Sequence, residues 1–157
     1  MSFKMRREVF DWFKYIDGSK PLKNKFDIYY MCFILGIASG KFSTAVNSTV
    51  FIDYFVSEYQ SSQRTIVGLL LYAELNHLGV NLSENTEVKI QIERLVDSSD
   101  SMLTDEGFDR MNSYANEGFN IIFKKVIDKP RNSIEFLQLY SSLIEGQIKD
   151  NNLWNAS

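Results

Sequence analysis

The sequence predicts an all-α protein, a single domain built as an irregular bundle of six or seven helices. Apolar residues recur at helical spacing along most of the 157-residue chain. Capping residues and glycines divide these stretches into segments of helical length. No two segments combine strand-like alternation with the tight turn of a β-hairpin. We expect the domain to cover residues 1–149, followed by a polar tail over 150–157.

The first helix is predicted over 3–16. Its apolar residues lie at i, i+3, i+4 and i+7, namely Val9, Trp12, Phe13 and Ile16. Gly18 is expected to end it, because glycine adopts the left-handed conformation of a helix C-terminus without strain.

A second, largely buried helix is predicted over 26–38, where aromatic and aliphatic residues are dense on all sides. Gly36 and Gly40 are expected to end it. A strand is the alternative, since β-propensity is high here, but the 13-residue length favours a helix.

The middle of the chain contains three further predicted helices. A short one covers 49–59, and a longer one runs from Ser61 to about Leu78, with Gly79 as a Schellman ending. A third extends from Ser83, its candidate N-cap, to about residue 97. The alternation over 88–92 leaves a strand open at that point.

Two helices complete the bundle. Thr104 is a favourable N-cap for a helix that runs to about residue 127, and acidic residues follow it in the first turn. After Pro130, Asn132 and Glu135 have capping-box spacing at the start of the last helix.

Composition limits the chemistry of the chain. With one Cys and one His, a disulfide framework and a multi-cysteine zinc site are both excluded. Glu74 and His77 have metal-ligand spacing, but a di-iron bundle needs a second His. We therefore expect no catalytic residues, metal or cofactor. An enzyme that uses an unrecognised pair of carboxylates stays open as a third hypothesis.

Charge is unevenly distributed. The net charge is −3, yet residues 1–48 carry +4 and residues 49–157 carry −7. A basic end can mark a face for a polyanion or an acidic partner, while a lopsided solvated surface is the simpler interpretation. The longest apolar stretch is too short to span a bilayer, and the N-terminus has no apolar signal region, so we expect a cytoplasmic protein with no membrane contact.

Aromatic residues crowd the same basic region. A domain of this size is not expected to bury them all, so exposed rings would form an interaction site, although a packed aromatic core is the alternative. The predicted partner-binding residues are Phe10, Trp12, Tyr15 and Trp154. The residues predicted to contact nucleic acid or an acidic partner are Lys4, Arg6, Arg7, Lys14, Lys20, Lys23 and Lys25.

Two segments carry a resemblance to a known class of proteins. Residues 26–36 (FDIYYMCFILG) and 103–119 (LTDEGFDRMNSYANEGF) resemble stretches of small helical accessory subunits of prokaryotic anti-phage and anti-plasmid defence systems. Such subunits accompany an SMC/Rad50-like ATPase or DNA-modification machinery. The resemblance implies a non-catalytic bridging subunit whose partners supply the ATPase or nuclease activity.

These observations lead to two main hypotheses. The first is an interaction subunit of a larger cytosolic assembly, such as a DNA-targeting defence complex, which contacts nucleic acid only indirectly. The alternative is a stand-alone nucleic-acid-binding regulator that uses the basic N-terminal region and loses affinity steeply as salt rises.

Overall fold

A computed structural model describes residues 1–151, and most of them are helical. The elements in chain order are β1 (Phe3–Arg6), α1 (Arg7–Trp12), α2 (Lys25–Ser39), β2 (Ser48–Ile52), α3 (Ser57–Gln60), α4 (Gln63–His77), α5 (Asn85–Leu95), α6 (Asp105–Lys125) and α7 (Ser133–Asn151). The strands β1 and β2 form a small antiparallel sheet. The predominance of helices is confirmed, but the chain is not purely α-helical.

The predicted helix over 3–16 is wrong at both ends. Phe3 and Met5 are buried while Lys4 and Arg6 are half-buried, which is the period-2 pattern of a strand. Helix α1 follows but stops at Trp12, and turns continue the chain to Gly18, whose φ of 83° is left-handed as expected. The predicted apolar stripe is nevertheless buried throughout.

The predicted helix over 49–59 is also wrong over most of its length, from 49 to 56. Strand β2 occupies 48–52, where the β-branched residues Thr49, Val50 and Ile52 favour extended backbone. Of the predicted span, only Ser57, Glu58 and Tyr59 are helical, as part of α3. In both segments the structure has a short strand where the prediction extended a helix over the same residues.

Helix α2 confirms the prediction over 26–38 and excludes the strand alternative. A capping box begins it, in which Asn24 Oδ1 accepts from the Asp27 amide at 3.1 Å and Asp27 Oδ2 accepts from the Asn24 amide at 3.0 Å. Gly40 ends it with a φ of 68°. Gly36 does not end the helix; it lies inside it, at a close approach of another backbone.

The described residues cluster into two compact units. The first consists of Met1–Phe3 and Val50–Met111, and the second of Lys4–Thr49 with the chain from Asn112 onward. In the first unit, the Phe3 ring lies 5.0 Å from the rings of both Phe55 and Phe108, with edge-to-face geometry. Helices α4 and α5 pack together in this unit.

The core of the second unit is the crossing of α2 with the later turns of α6. A Cβ atom added to Gly36 would lie 2.7 Å from the carbonyl carbon of Tyr114 and closer still to its oxygen. A Cβ on Gly118 would lie 2.6 Å from the carbonyl carbon of Cys32. Each glycine therefore faces the backbone of the opposite helix, which lets the two helices approach closely.

The remaining helix ends mostly follow the prediction. Gly79 has a φ of 69°, and the Val80 amide donates to the Leu75 carbonyl at 2.9 Å, which completes a Schellman motif after α4. The Thr104 hydroxyl accepts from the Gly107 amide at 3.0 Å at the start of α6. The residue preceding α5 is Glu84, so the predicted Ser83 cap is displaced by one position.

The last helix begins as predicted but ends later. Asn132 Oδ1 accepts from the Glu135 amide at 3.1 Å, as the capping pattern indicates. Helix α7 continues to Asn151, so the first two residues of the predicted tail are helical. Trp154 lies outside the described residues. Within residues 1–151, no helix is both long enough and apolar enough to cross a membrane.

Candidate interaction surface around Tyr15

Most of the N-terminal aromatic residues belong to the core. Five of the eight rings in the first thirty residues are at most 5% exposed: Phe3, Trp12, Phe13, Phe26 and Tyr29. The expectation that not all of them are buried is confirmed, since Phe10 and Tyr30 are half-buried and Tyr15 is exposed, but most of the rings lie in the core. Aromatic density in this chain mainly supplies core volume.

Trp12 is one of these core residues. Its ring packs edge-to-face against Phe13 at 4.9 Å, Phe119 at 5.9 Å and Phe136 at 6.5 Å. With 5% of its surface exposed, Trp12 is enclosed by the fold and presents no anchor to a partner. It instead joins residues from α6 and α7 to the N-terminal segment.

Basic side chains lie over two of the three rings that remain near the surface, Phe10 and Tyr15. Lys25 Nζ lies 5.0 Å from the ring centroid of the half-buried Phe10. Tyr15, which is 45% exposed, is approached by Lys14 Nζ at 5.2 Å and by the Arg131 guanidinium carbon at 4.3 Å. The interleaving of basic and aromatic residues in the sequence thus corresponds to cation–π pairs.

Arg6 has a structural role. Its Nη2 donates to Asn120 Oδ1 at 2.8 Å, its guanidinium carbon lies 4.9 Å from the Phe119 ring, and its Nε is 3.6 Å from Glu8 Oε1. Only 21% of the side chain is exposed. The remaining basic candidates differ: Lys4 is half-buried, whereas Arg7, Lys14, Lys20, Lys23 and Lys25 are exposed.

A row of asparagines on α6 holds the N-terminal segment in place. Asn112 Oδ1 accepts from the Lys4 amide at 3.0 Å and from the Tyr29 hydroxyl at 2.7 Å. One turn later, Asn116 Nδ2 donates to the Ser43 hydroxyl at 2.8 Å. Asn112, Asn116 and Asn120 have i, i+4, i+8 spacing, which is visible in the sequence. Their hydrogen-bond partners in the N-terminal segment, however, lie more than 70 residues away along the chain.

A shallow cleft of about 620 Å³ opens beside Tyr15. It is lined by Tyr15, Asp128, Lys129, Pro130, Arg131 and Glu135. Lys129 Nζ donates to Asp11 Oδ2 at 2.7 Å, and this hydrogen bond and positive charge lower the pKa of the Asp11 carboxyl. The Ser133 hydroxyl donates to the Lys20 carbonyl at 2.9 Å, which joins the basic connector to the start of α7.

We call the group of Lys14, Tyr15, Lys20, Lys129 and Arg131 the Tyr15 surface. Sequence reasoning missed Lys129 and Arg131, because they lie more than 100 residues from Tyr15 along the chain. The concentration of four cations over residues 124–131 was the available signal. The surface therefore combines residues from both ends of the second unit.

The other side chains with possible chemical reactivity are Cys32, Glu74 and His77. Burial raises the pKa of the Cys32 thiol, which keeps it protonated and unreactive as a nucleophile at neutral pH. Glu74, which is 1% exposed, accepts from Arg94 Nη2 at 2.7 Å and lies 3.1 Å from Arg110 Nε. His77 is exposed, so the two residues of the predicted metal-ligand spacing lie in different environments.

The Tyr15 surface places cationic side chains beside a cleft that also contains the carboxylates of Asp128 and Glu135. Within residues 1–151, no three His, Cys, Asp or Glu side chains are grouped so as to hold a metal ion. The chain matches no protein-family model, no curated protein and no solved structure.

Proposed function

We propose that this protein is a non-catalytic interaction subunit of a larger assembly, and that it binds an acidic protein partner through the Tyr15 surface. The observation that carries the proposal is a half-exposed Tyr15 ring held between two cations, Lys14 and Arg131. Tyr and Arg, together with Trp, are enriched among the side chains that dominate binding energy at protein interfaces.

The contacts of Tyr15 prepare it for binding. The cations at 4.3 and 5.2 Å from the ring centroid limit its rotation before a partner arrives. A side chain that is already ordered loses less conformational entropy on binding, so more of its contact energy contributes to affinity. The exposed Lys20 adds positive charge at the rim, which accelerates association with an acidic partner.

Mixed charge in the cleft favours a protein partner over nucleic acid. Asp128 and Glu135 line the cleft together with Lys129 and Arg131. A phosphate backbone is uniformly negative and would be repelled by these carboxylates. A protein can place cations or hydrogen-bond donors opposite them.

The assembly we propose is a DNA-targeting defence complex in which an SMC/Rad50-like ATPase or a nuclease is the larger subunit. The two segments that resemble defence accessory subunits support this choice. They meet at the close approach of α2 and α6, where Gly36 faces Tyr114 and Gly118 faces Cys32. The resemblance therefore includes the residues that pack α2 against α6, and the partner would be contacted elsewhere.

The proposal is tested by affinity purification of the tagged chain from its source cells. Arg131→Glu reverses the charge stacked on Tyr15. The exposed Arg64 on α4 offers a control, because Arg64→Glu changes the net charge equally in the first unit. We expect the wild type and the control to retain a stoichiometric partner chain that Arg131→Glu loses.

Three outcomes would contradict the proposal. Recovery of the wild-type chain without any other chain would show that it is not a subunit of a stable assembly. If Arg131→Glu retained the partner, the Tyr15 surface would not be the binding interface. Co-purification that disappears after nuclease treatment would instead support the regulator that binds nucleic acid.

A further inference from the structure

We propose that a groove at the corner between α6 and α7 binds an acidic amphipathic helix of the partner protein. This inference rests on the proposed function and names the chemistry of the partner segment. The groove measures about 270 Å³. Its lining residues are Val126, Pro130, Arg131, Asn132, Glu135, Phe136 and Leu139.

Apolar side chains are unusually exposed around this corner. Ile127, which follows Val126, is 96% exposed, and Phe123 is 59% exposed. On the α7 side, Ile134 is 58% exposed and Leu139, which lines the groove, is 42% exposed. Clusters of large exposed apolar residues mark interaction sites, because leaving them in water forgoes the free energy of burial.

The charges around the groove select an acidic occupant. Residues 121–135 contain four cations, Lys124, Lys125, Lys129 and Arg131, against two acidic residues, Asp128 and Glu135, so the positive charge is in excess. Lys124 and Lys125 are exposed on the last turn of α6. A helix that places apolar side chains in the groove and carboxylates at its edges would complement both properties.

The groove adjoins the Tyr15 cleft. Pro130, Arg131 and Glu135 line both depressions. Arg131 therefore contributes its guanidinium to the Tyr15 ring and part of its side chain to the apolar groove. A single partner segment can occupy both sites.

The walls of the groove favour a helix as the bound element. The groove is walled by the connector over residues 126–132 and by the first turns of α7, and the described residues place no strand there to pair with an added strand. The volume is slightly below the range of about 300–1,000 Å³ typical of small-molecule pockets. A few aliphatic side chains on one helix face, at i, i+3 or i+4 and i+7, fit this space better.

Three fluorescein-labelled synthetic helices test the inference by fluorescence anisotropy with the full chain. The first has leucines on one face and glutamates on the flanks. In the second, lysines replace the glutamates, and in the third, glutamines replace the leucines. We expect the first helix to bind at least roughly tenfold more tightly than the other two, which corresponds to about 1.4 kcal/mol.

Two protein variants locate the binding site. Leu139→Asp places a like charge in the groove, and Leu82→Asp is the control because Leu82 is 62% exposed in the first unit. We expect Leu139→Asp to weaken binding of the acidic helix by roughly tenfold and Leu82→Asp to leave it unchanged. Circular dichroism confirms that both variants remain folded, and the peptide series tests the same chemistry without altering the protein.

Several results would overturn the inference. It fails if the acidic helix does not bind, or if the lysine helix or the glutamine helix binds as tightly as the acidic one. It also fails if Leu139→Asp binds the acidic helix with the affinity of the wild type. Concentration-dependent dimerisation that Leu139→Asp abolishes would assign the groove to a second copy of the chain. If Leu139→Asp still retains the cellular partner that Arg131→Glu loses, the proposed function stands and only the groove assignment fails.

Discussion

The crossing of α2 and α6 depends on two glycines, and replacing either one by alanine should destabilise the protein strongly. A Cβ on Gly118 would lie 2.6 Å from the Cys32 carbonyl carbon, and a Cβ on Gly36 would lie 2.7 Å from that of Tyr114. Carbon atoms in contact are normally about 3.5–4.0 Å apart, so the helices would have to separate by roughly 1 Å. Both obstacles are backbone atoms, which cannot move away by changing rotamer.

The expected cost follows from this rigidity. Overpacking a core typically costs about 1–3 kcal/mol when side chains can adjust. Because separation of α2 from α6 also loosens the surrounding apolar contacts, we expect Gly118→Ala to cost about 3 kcal/mol or more. For a chain of this length, such a loss lowers Tm by roughly 6–12 °C.

The chain contains a matched control in the same unit. Gly146 lies inside α7, and a Cβ added there would meet no atom within 4 Å. Gly146→Ala should therefore stabilise the protein by about 0.5–1 kcal/mol, since alanine loses less backbone entropy in a helix. Urea unfolding followed by circular dichroism at 222 nm measures both variants. If Gly118→Ala is no less stable than Gly146→Ala, the close approach of the two helices is wrong.

Three further measurements probe other features of the structure. The buried Cys32 thiol, whose pKa burial raises, should react with a thiol reagent only at the rate at which the protein unfolds, and rapid reaction in native buffer would contradict its burial. Because the hydrogen bond and charge of Lys129 lower the pKa of Asp11, their contribution to stability is complete above about pH 4 and is lost as the pH falls through the lowered pKa. Lys129→Met should raise the Asp11 pKa in an NMR titration, and an unchanged value would rule out the pairing. Arg94→Met removes the 2.7 Å partner of the buried Glu74 carboxylate and leaves Arg110 Nε at 3.1 Å, so it should cost about 1.5–3 kcal/mol in urea unfolding, part of which the double replacement with Glu74→Met recovers.

Local signals account for the parts of the fold that were predicted well. The capping of α6 by Thr104 and the Schellman ending at Gly79 involve residues three to five positions apart, so the sequence displays both partners together. The apolar length of α2 likewise identifies a buried helix. The alternation over Phe3–Arg6 was also local, but a longer helical pattern beginning at Val9 concealed it.

The sequence by itself determined where most helices lie, how they are capped and which faces are apolar. Only the tertiary structure decided that Trp12 is enclosed, that Arg131 stacks on Tyr15, and that Gly118 fits against Cys32. These contacts join residues about 85 to 125 positions apart. The sequence near one residue of such a pair does not indicate which distant residue it contacts. Burial and close packing are properties of the assembled chain, because they depend on which surfaces the fold brings together.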